Sequence, residues 1–190
     1  MFILNMEDIN DEDVARRIQQ GDVNAFSLLV RRYEAKITRY GRKFLSRPDD
    51  IKDIVQEIFT KTFVNIRSFD AKRKFSPWIY RIAHNEFVNA LKKKKTEKLA
   101  FVDFDAFFPH PAAKEAADGD VERADLRRML DKCIEKLPAK YREPLILYYF
   151  EEMNYREIAD VMHLPVSTVG VRLQRGKVLL KKGVKDNGGA

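Results

Sequence analysis

The chain has 190 residues, 45% of them hydrophobic, which is enough for one large or two small domains with folded cores. Its formal charge of +7 divides into +7 over residues 1–95, −5 over residues 96–125 and +5 over residues 126–190, so two basic modules flank an acidic stretch and each can meet a polyanion. The single cysteine, Cys133, excludes an internal disulfide framework, and the few apolar residues of Met1–Val14 make neither a signal peptide nor a membrane span, so a soluble, cytoplasmic protein is expected.

Helix signals recur along the chain and strand signals are weak. Asp13–Gln20 has the pattern of a short helix closed by Gly21. Asp22 or Asn24 is placed to cap a second helix, whose Phe26, Leu29, Val30, Tyr33 and Ile37 form a stripe. Arg47-Pro48-Asp49-Asp50 is a break with helix-start chemistry. The next helix puts Ile54, Val55, Ile58, Phe59, Thr62, Phe63 and Ile66 on one side. On that helix Asp53, Gln56 and Glu57 stand three and four residues apart and make an acidic, polar face. In a basic module such a face does not suit DNA. It suits a basic protein partner, or plain solvation.

Arg67–Ser76 is a polar, basic loop, and Pro77 opens a helix through Trp78, Ile79, Ile82, Ala83, Phe87, Val88 and Leu91 that ends on Lys92–Lys95. Within Phe69–Asn85, FDAKRKFSPWIYRIAHN, the cations Lys72, Arg73, Lys74 and Arg81 mingle with Phe75, Trp78 and Tyr80. Rings that stack on unpaired bases while cations hold the backbone are the chemistry of single-strand capture. Trp78, Ile79 and Ile82 also have the spacing of core residues, and Lys72–Lys74 fits a solvated loop.

Thr96–Gly119 is acidic, contains Pro109 and Pro111, and is expected to be a linker; its Phe101, Phe104, Phe107 and Phe108 suit docking on a neighbouring surface. Helical pattern resumes at Asp120 and runs to Leu137, where Pro138 ends it, with Cys133 among apolar residues as a buried thiol. Tyr141–Phe150 is another helix.

Asn154–Lys177, NYREIADVMHLPVSTVGVRLQRGK, has the pattern of two short helices around a tight turn. Asn154 is an N-cap with Glu157 at capping-box spacing. Ile158, Ala159, Val161 and Met162 supply an inward face, and the break falls at His163-Leu164-Pro165. Val166, Val169 and Leu173 should face inward on the second helix, which leaves Ser167, Thr168, Val171, Arg172, Gln174 and Arg175 outward. A helix-turn-helix offers such a face to the DNA major groove, hydroxyls and arginines binding phosphate and arginines also guanine edges. An αα-hairpin with a solvated basic face has the same pattern.

The histidines His84, His110 and His163 are scattered, and no zinc spacing, phosphate-cradling glycine loop or nucleophile elbow occurs. No enzyme activity, cofactor or metal is therefore expected. From the residues alone, a stand-alone duplex-DNA regulator and an interaction adaptor both stay open.

Three blocks in order resemble the extracytoplasmic-function (ECF) sigma factors of bacterial RNA polymerase: DIVQEIFTKTF, FSPWIYRIAHN and LPAKYREPLILYYFEEMNYREIADVMHLPVSTVGVRL. The resemblance covers about Ala25–Lys95 and Val121–Lys182. It implies an all-α fold of two small helical domains. Residues 1–95 would be the region 2 domain that binds core polymerase and recognises and melts the −10 element. Residues 96–120 would be an acidic linker lying in a basic polymerase channel. Residues 121–190 would be the region 4 helix-turn-helix domain that recognises the −35 element.

Residue by residue, the resemblance places Asp53, Gln56, Glu57 and Phe59 in the core-binding block. The loop Phe69–Phe75 falls where a flipped −10 base is captured. Lys72, Arg73, Lys74, Trp78, Tyr80, Arg81 and Asn85 become −10 contacts, and Ser167, Thr168, Val171, Arg172 and Arg175 become −35 contacts. The implied partners are RNA polymerase core, promoter DNA in duplex and single-stranded form, and an anti-sigma factor. Two positions depart from the family. Gly170-Val171 stand where the family often has a cation and a serine; Gly170 weakens the helix by about 1 kcal/mol against alanine but suits close backbone approach to DNA, and Val171 suits a thymine methyl. His163 stands where the family's turn often has glycine, so that turn is expected to differ slightly.

Overall fold

The computed structural model describes the backbone of residues 9–97, 133–134 and 136–187. Among them there is no strand. The α-helices are α1 (Asp11–Gln19), α2 (Phe26–Gly41), α3 (Pro48–Asn65), α4 (Phe75–Glu97), α5 (Ala139–Tyr149), α6 (Tyr155–Met162) and α7 (Val166–Asn187). They form two compact units, an amino-terminal one with α1–α4 and a carboxy-terminal one with α5, α7 and most of α6. The all-α, two-domain fold expected from the sequence is the one adopted. Most of the acidic stretch, with its four phenylalanines, and most of the helix expected over 120–137 lie outside the described residues; Cys133 and Ile134 are helical and buried.

In the amino-terminal unit, Asn10 caps α1 by accepting the Asp13 N–H at 2.7 Å, and three acids fill the first turn, where they meet the positive end of the helix. Gly21 follows the helix with φ +105°, a conformation open to glycine. Asp22 does not cap the next element; its carboxylate pairs with Arg17 at 2.8 Å. Pro48 opens α3 at a position where its missing N–H costs nothing. α4 starts at Phe75 rather than Pro77, because Glu12 Oε1 accepts the Phe75 N–H at 2.8 Å, and it runs past Lys92–Lys95 to Glu97.

The core of this unit is aliphatic and aromatic. Leu29, Ile37, Ile58 and Ile79 are enclosed with the rings of Tyr40, Phe44, Tyr80 and Phe87. Phe44 stacks on Phe87 at 5.5 Å, and Tyr40 meets Phe44 and Tyr80 edge-on. The Tyr40 hydroxyl and His84 Nδ1 share a buried hydrogen bond of 3.0 Å, so His84 is a core residue. Val55, Ile58, Phe59 and Thr62 form the buried stripe of α3, and Ile66, just past its end, is buried too; Phe63, expected among them, is 38% exposed at the stripe's edge.

In the carboxy-terminal unit, α5 is buried from Arg142 to Leu147, and that packing sustains Pro144 in a helix interior it would otherwise break. The Asn154 side chain accepts the Arg156 and Glu157 N–H groups while Glu157 Oε2 accepts the Asn154 N–H at 2.7 Å, a complete capping box for α6. His163 ends α6 in the left-handed conformation (φ 53°, ψ 45°), and the Leu164 N–H returns to the Ala159 carbonyl at 3.1 Å. The turn thus takes the very backbone shape that His163 was expected to disfavour; histidine is among the few non-glycine residues enriched there. On α7, Val169, Leu173 and Gly176 are buried, but Val166, expected inward, is 44% exposed. A Cβ on Gly176 would lie 2.9 Å from Leu145 Cδ1 and 3.3 Å from the Tyr141 carbonyl oxygen, so α5 and α7 approach closely where that side chain is missing.

Candidate nucleic-acid interface

The outward residues of α7 and the first turn of α5 share one groove. It encloses about 350 Å³ and is lined by Lys140 and Tyr141 from α5 and Ser167, Thr168, Val171, Arg172 and Arg175 from α7. All five residues expected at a −35 contact are therefore neighbours. Lys140 and Tyr141 escaped the sequence reading because they stand on another helix; their only signal was a place in the same basic block. On α5, two residues after Tyr141, Glu143 is buried. Burial pushes its carboxyl up to about 7, while the charges of Arg142 and Arg172 pull it down. Gly170 does not line the groove; a Cβ there would point at the Tyr155 ring, 3.7 Å away.

In the amino-terminal unit the exposed cations Lys72, Arg73 and Lys74 sit on a tight turn. Asp70 builds that turn, its side chain accepting the Lys72 N–H at 3.0 Å and its carbonyl the Arg73 N–H at 2.9 Å. Below the turn lies an aromatic floor. Phe69 and Phe75 are buried and meet edge-on at 5.3 Å, and the half-buried Trp78 lies 5.2 Å from Phe69 and 5.6 Å from Phe75. Trp78, Arg81 and Asn85, spaced by three and four residues, share one face of α4, with Arg81 exposed. Tyr80 does not belong to that face. It is fully buried, edge-on to Tyr40 at 5.3 Å, because two residues along a helix carry a side chain to the opposite side. Its expected contact with DNA is corrected on that ground.

On α3, Asp53, Gln56 and Glu57 are exposed together. Phe59 is not with them; it is buried and packs edge-on against Phe26 at 6.4 Å, so its expected role on a docking face is corrected. The exposed apolar residues on this helix are instead Phe63 and Val64, one turn further on. Lys61 ties this face to α4, reaching Glu57 at 2.8 Å and Glu86 at 2.6 Å; these two carboxylates, Glu57 foremost, raise its pKa. No helix among the described residues is long and apolar enough to cross a membrane.

Known families match both units. The Sigma-70 region 2 family matches residues 29–97 and the Sigma-70, region 4 family matches residues 127–180. The chain is 34% identical over 177 residues to the ECF RNA polymerase sigma factor SigW of Bacillus subtilis, spanning 90% of this chain and 95% of that one. It is 31% identical over 185 residues to the ECF RNA polymerase sigma-E factor of Haemophilus influenzae, spanning 94% and 97%. Two solved structures share its fold. CnrH, in complex with the cytosolic domain of CnrY, has a TM-score of 0.63 at 23% identity, covering 93% of this chain and 97% of that one. The sigma factor RpoE of Bartonella quintana, in complex with the anti-sigma factor NepR, has a TM-score of 0.62 at 22% identity, covering 84% and 96%. With both family matches in chain order and the relatives aligned along nearly their whole length, the chain belongs to the ECF sigma factors, the promoter-specificity subunits of bacterial RNA polymerase.

Proposed function

We propose a division of labour between the two units. Residues 1–95 dock on core polymerase through the Asp53, Gln56 and Glu57 face and hold unpaired −10 bases on the Lys72–Lys74 turn with Trp78, Arg81 and Asn85. Residues 121–190 read the −35 duplex through Ser167, Thr168, Val171, Arg172 and Arg175, with Lys140 and Tyr141 completing the groove. The acidic stretch 96–120 lies in a basic channel of the polymerase. The observation that carries this reading is the single groove in which all five α7 residues meet a cation and a ring from α5.

The mechanism needs no bond-making by this chain. Contact on polymerase raises the effective concentration of the second DNA contact once the first is made. Stacking and phosphate contacts to unpaired bases then pull the melting equilibrium forward. RpoE is known in complex with an anti-sigma factor, and an anti-sigma protein is proposed as a partner here as well. The site of action is the cytoplasm, where the polymerase works.

The test is reconstituted transcription with core polymerase and a promoter library. Arg172→Ala should lower −35-dependent initiation about tenfold, the worth of one good base or phosphate contact, and leave core binding intact. An equal loss of core binding, or no initiation from any promoter with active core enzyme, overturns the assignment.

A further inference from the structure

The ends of the loop that carries Lys72–Lys74 are held from a distance by α1. Gln19, the last residue of α1, donates both Nε2 hydrogens: one to the Ile66 carbonyl at 2.8 Å and one to the Phe69 carbonyl at 2.7 Å. Both donors of the amide are then used, and a carboxylate at this position would face two carbonyl oxygens with no proton to offer. Glu12, seven residues earlier, accepts the Phe75 N–H at 2.8 Å and so places a negative charge at the positive end of α4. Seven residues are almost two helical turns, so both side chains leave one face of α1, about 10 Å apart along its axis.

α1 is itself immobilised on α2. Asp11 pairs with Arg32 at 2.7 Å and accepts the Tyr33 hydroxyl at 2.5 Å, and Val14, Ala15 and Ile18 are buried. Between the two anchors, Asp70 and Lys72–Lys74 are exposed, and the Asp70 side chain accepts the Lys72 N–H. Both ends of that stretch, the Phe69 carbonyl and the Phe75 N–H, are thus fixed by side chains of α1.

We infer that Gln19 and Glu12 are positioning residues for −10 recognition: α1 acts as a rigid bar that presets the shape of the loop 70–74 to receive an unpaired base. The inference rests on the proposed role of that loop. A loop held in its bound shape spares the DNA the work of ordering it, and losing the anchors appears as weaker strand binding.

The experiment uses the full chain assembled with core polymerase and a single-stranded −10 oligonucleotide carrying a fluorescent base. Gln19→Met keeps length and removes the donors; Glu12→Met removes the acceptor, and Glu12→Gln restores one. The two methionine variants should bind the strand about tenfold more weakly. Glu12→Gln should stay within about twofold of the wild type, because an amide oxygen still accepts the Phe75 N–H. Core affinity and −35 duplex binding should not move. Amide hydrogen exchange in the free protein is the second readout: residues 70–75 should exchange faster in both methionine variants while α2 and α3 stay protected. Unchanged loop exchange and unchanged strand affinity in folded Gln19→Met overturn the inference, as does a Glu12→Gln variant that falls as far as Glu12→Met. Should Gln19→Met fail to fold, the Glu12 pair decides alone. Faster loop exchange in a protein whose wild type captures no strand upholds the anchoring and sinks the base-capture role.

Discussion

Gly41 offers a sharp test of the packing of the amino-terminal unit. A Cβ at this position would lie 2.3 Å from Phe87 Cζ, 2.6 Å from Cε1 and 3.1 Å from Ile51 Cγ2. Carbon atoms in contact prefer about 3.5–4.0 Å, so the ring must retreat by more than about 1 Å. Phe87 has little room to do so. It is fully buried, stacked on Phe44 at 5.5 Å and edge-on to Tyr40 at 6.3 Å. Overpacking of this kind costs about 1–3 kcal/mol. Alanine returns up to about 1 kcal/mol of helix propensity, less here because Gly41 ends α2. Gly41→Ala should therefore destabilise this unit by about 1–2 kcal/mol, a fall in Tm of about 5–10 °C. Trp78 is the one tryptophan of the chain and lies in this unit, so its fluorescence during urea or thermal unfolding reports this unit alone. A midpoint equal to or above that of the wild type would show that the ring yields freely and would refute the reasoning.

The carboxy-terminal unit should depend on pH through Glu143, whose carboxyl is pushed up from 4.5 to about 7 chiefly by burial. A pKa raised on folding contributes stability that is whole below about 4.5 and lost as pH rises through about 7. Urea unfolding followed by far-ultraviolet dichroism should show wild type losing up to about 3 kcal/mol between pH 5 and pH 8 relative to Glu143→Gln; a wild type that gains on the variant contradicts the burial argument. Asn154→Ala should lower the stability of the same unit by about 1 kcal/mol by emptying the capping box, whereas Asn154→Asp keeps an acceptor and should lose much less; equal losses in the two would refute the cap.

Where the chemistry is local, the sequence announces the structure. Pro48 opens α3 and Asn154 with Glu157 opens α6, because each start depends on residues within one turn. The start of α4 was displaced because its first N–H finds an acceptor on Glu12, 63 residues earlier. The groove shows the same limit. Its α7 side follows from helical spacing, but Lys140 and Tyr141 join it only when α5 folds against α7. Other misses came from composition outweighing geometry. Tyr80 is an aromatic beside the same cations as Trp78, yet the helix sends it to the core. Phe59 lies in the buried stripe that its spacing predicts, while Phe63 sits exposed at the margin, since a 3.6-residue period leaves the edges of an apolar stripe undecided. The average backbone preference of a non-glycine residue disfavours a positive φ at His163, and the turn it closes overrides that preference.

Helix α6 is only 8 residues long, too short to persist on its own, yet both of its ends are chemically defined, by the Asn154–Glu157 box and by left-handed His163. With its start and stop set, the phase at which α7 begins does not depend on which side chains α7 turns outward. The outward positions are thereby left open to drift: Ser167, Thr168, Val171 or Arg175 can be exchanged while the scaffold that aims them stays as it was, and under the proposed function such an exchange would change the target sequence.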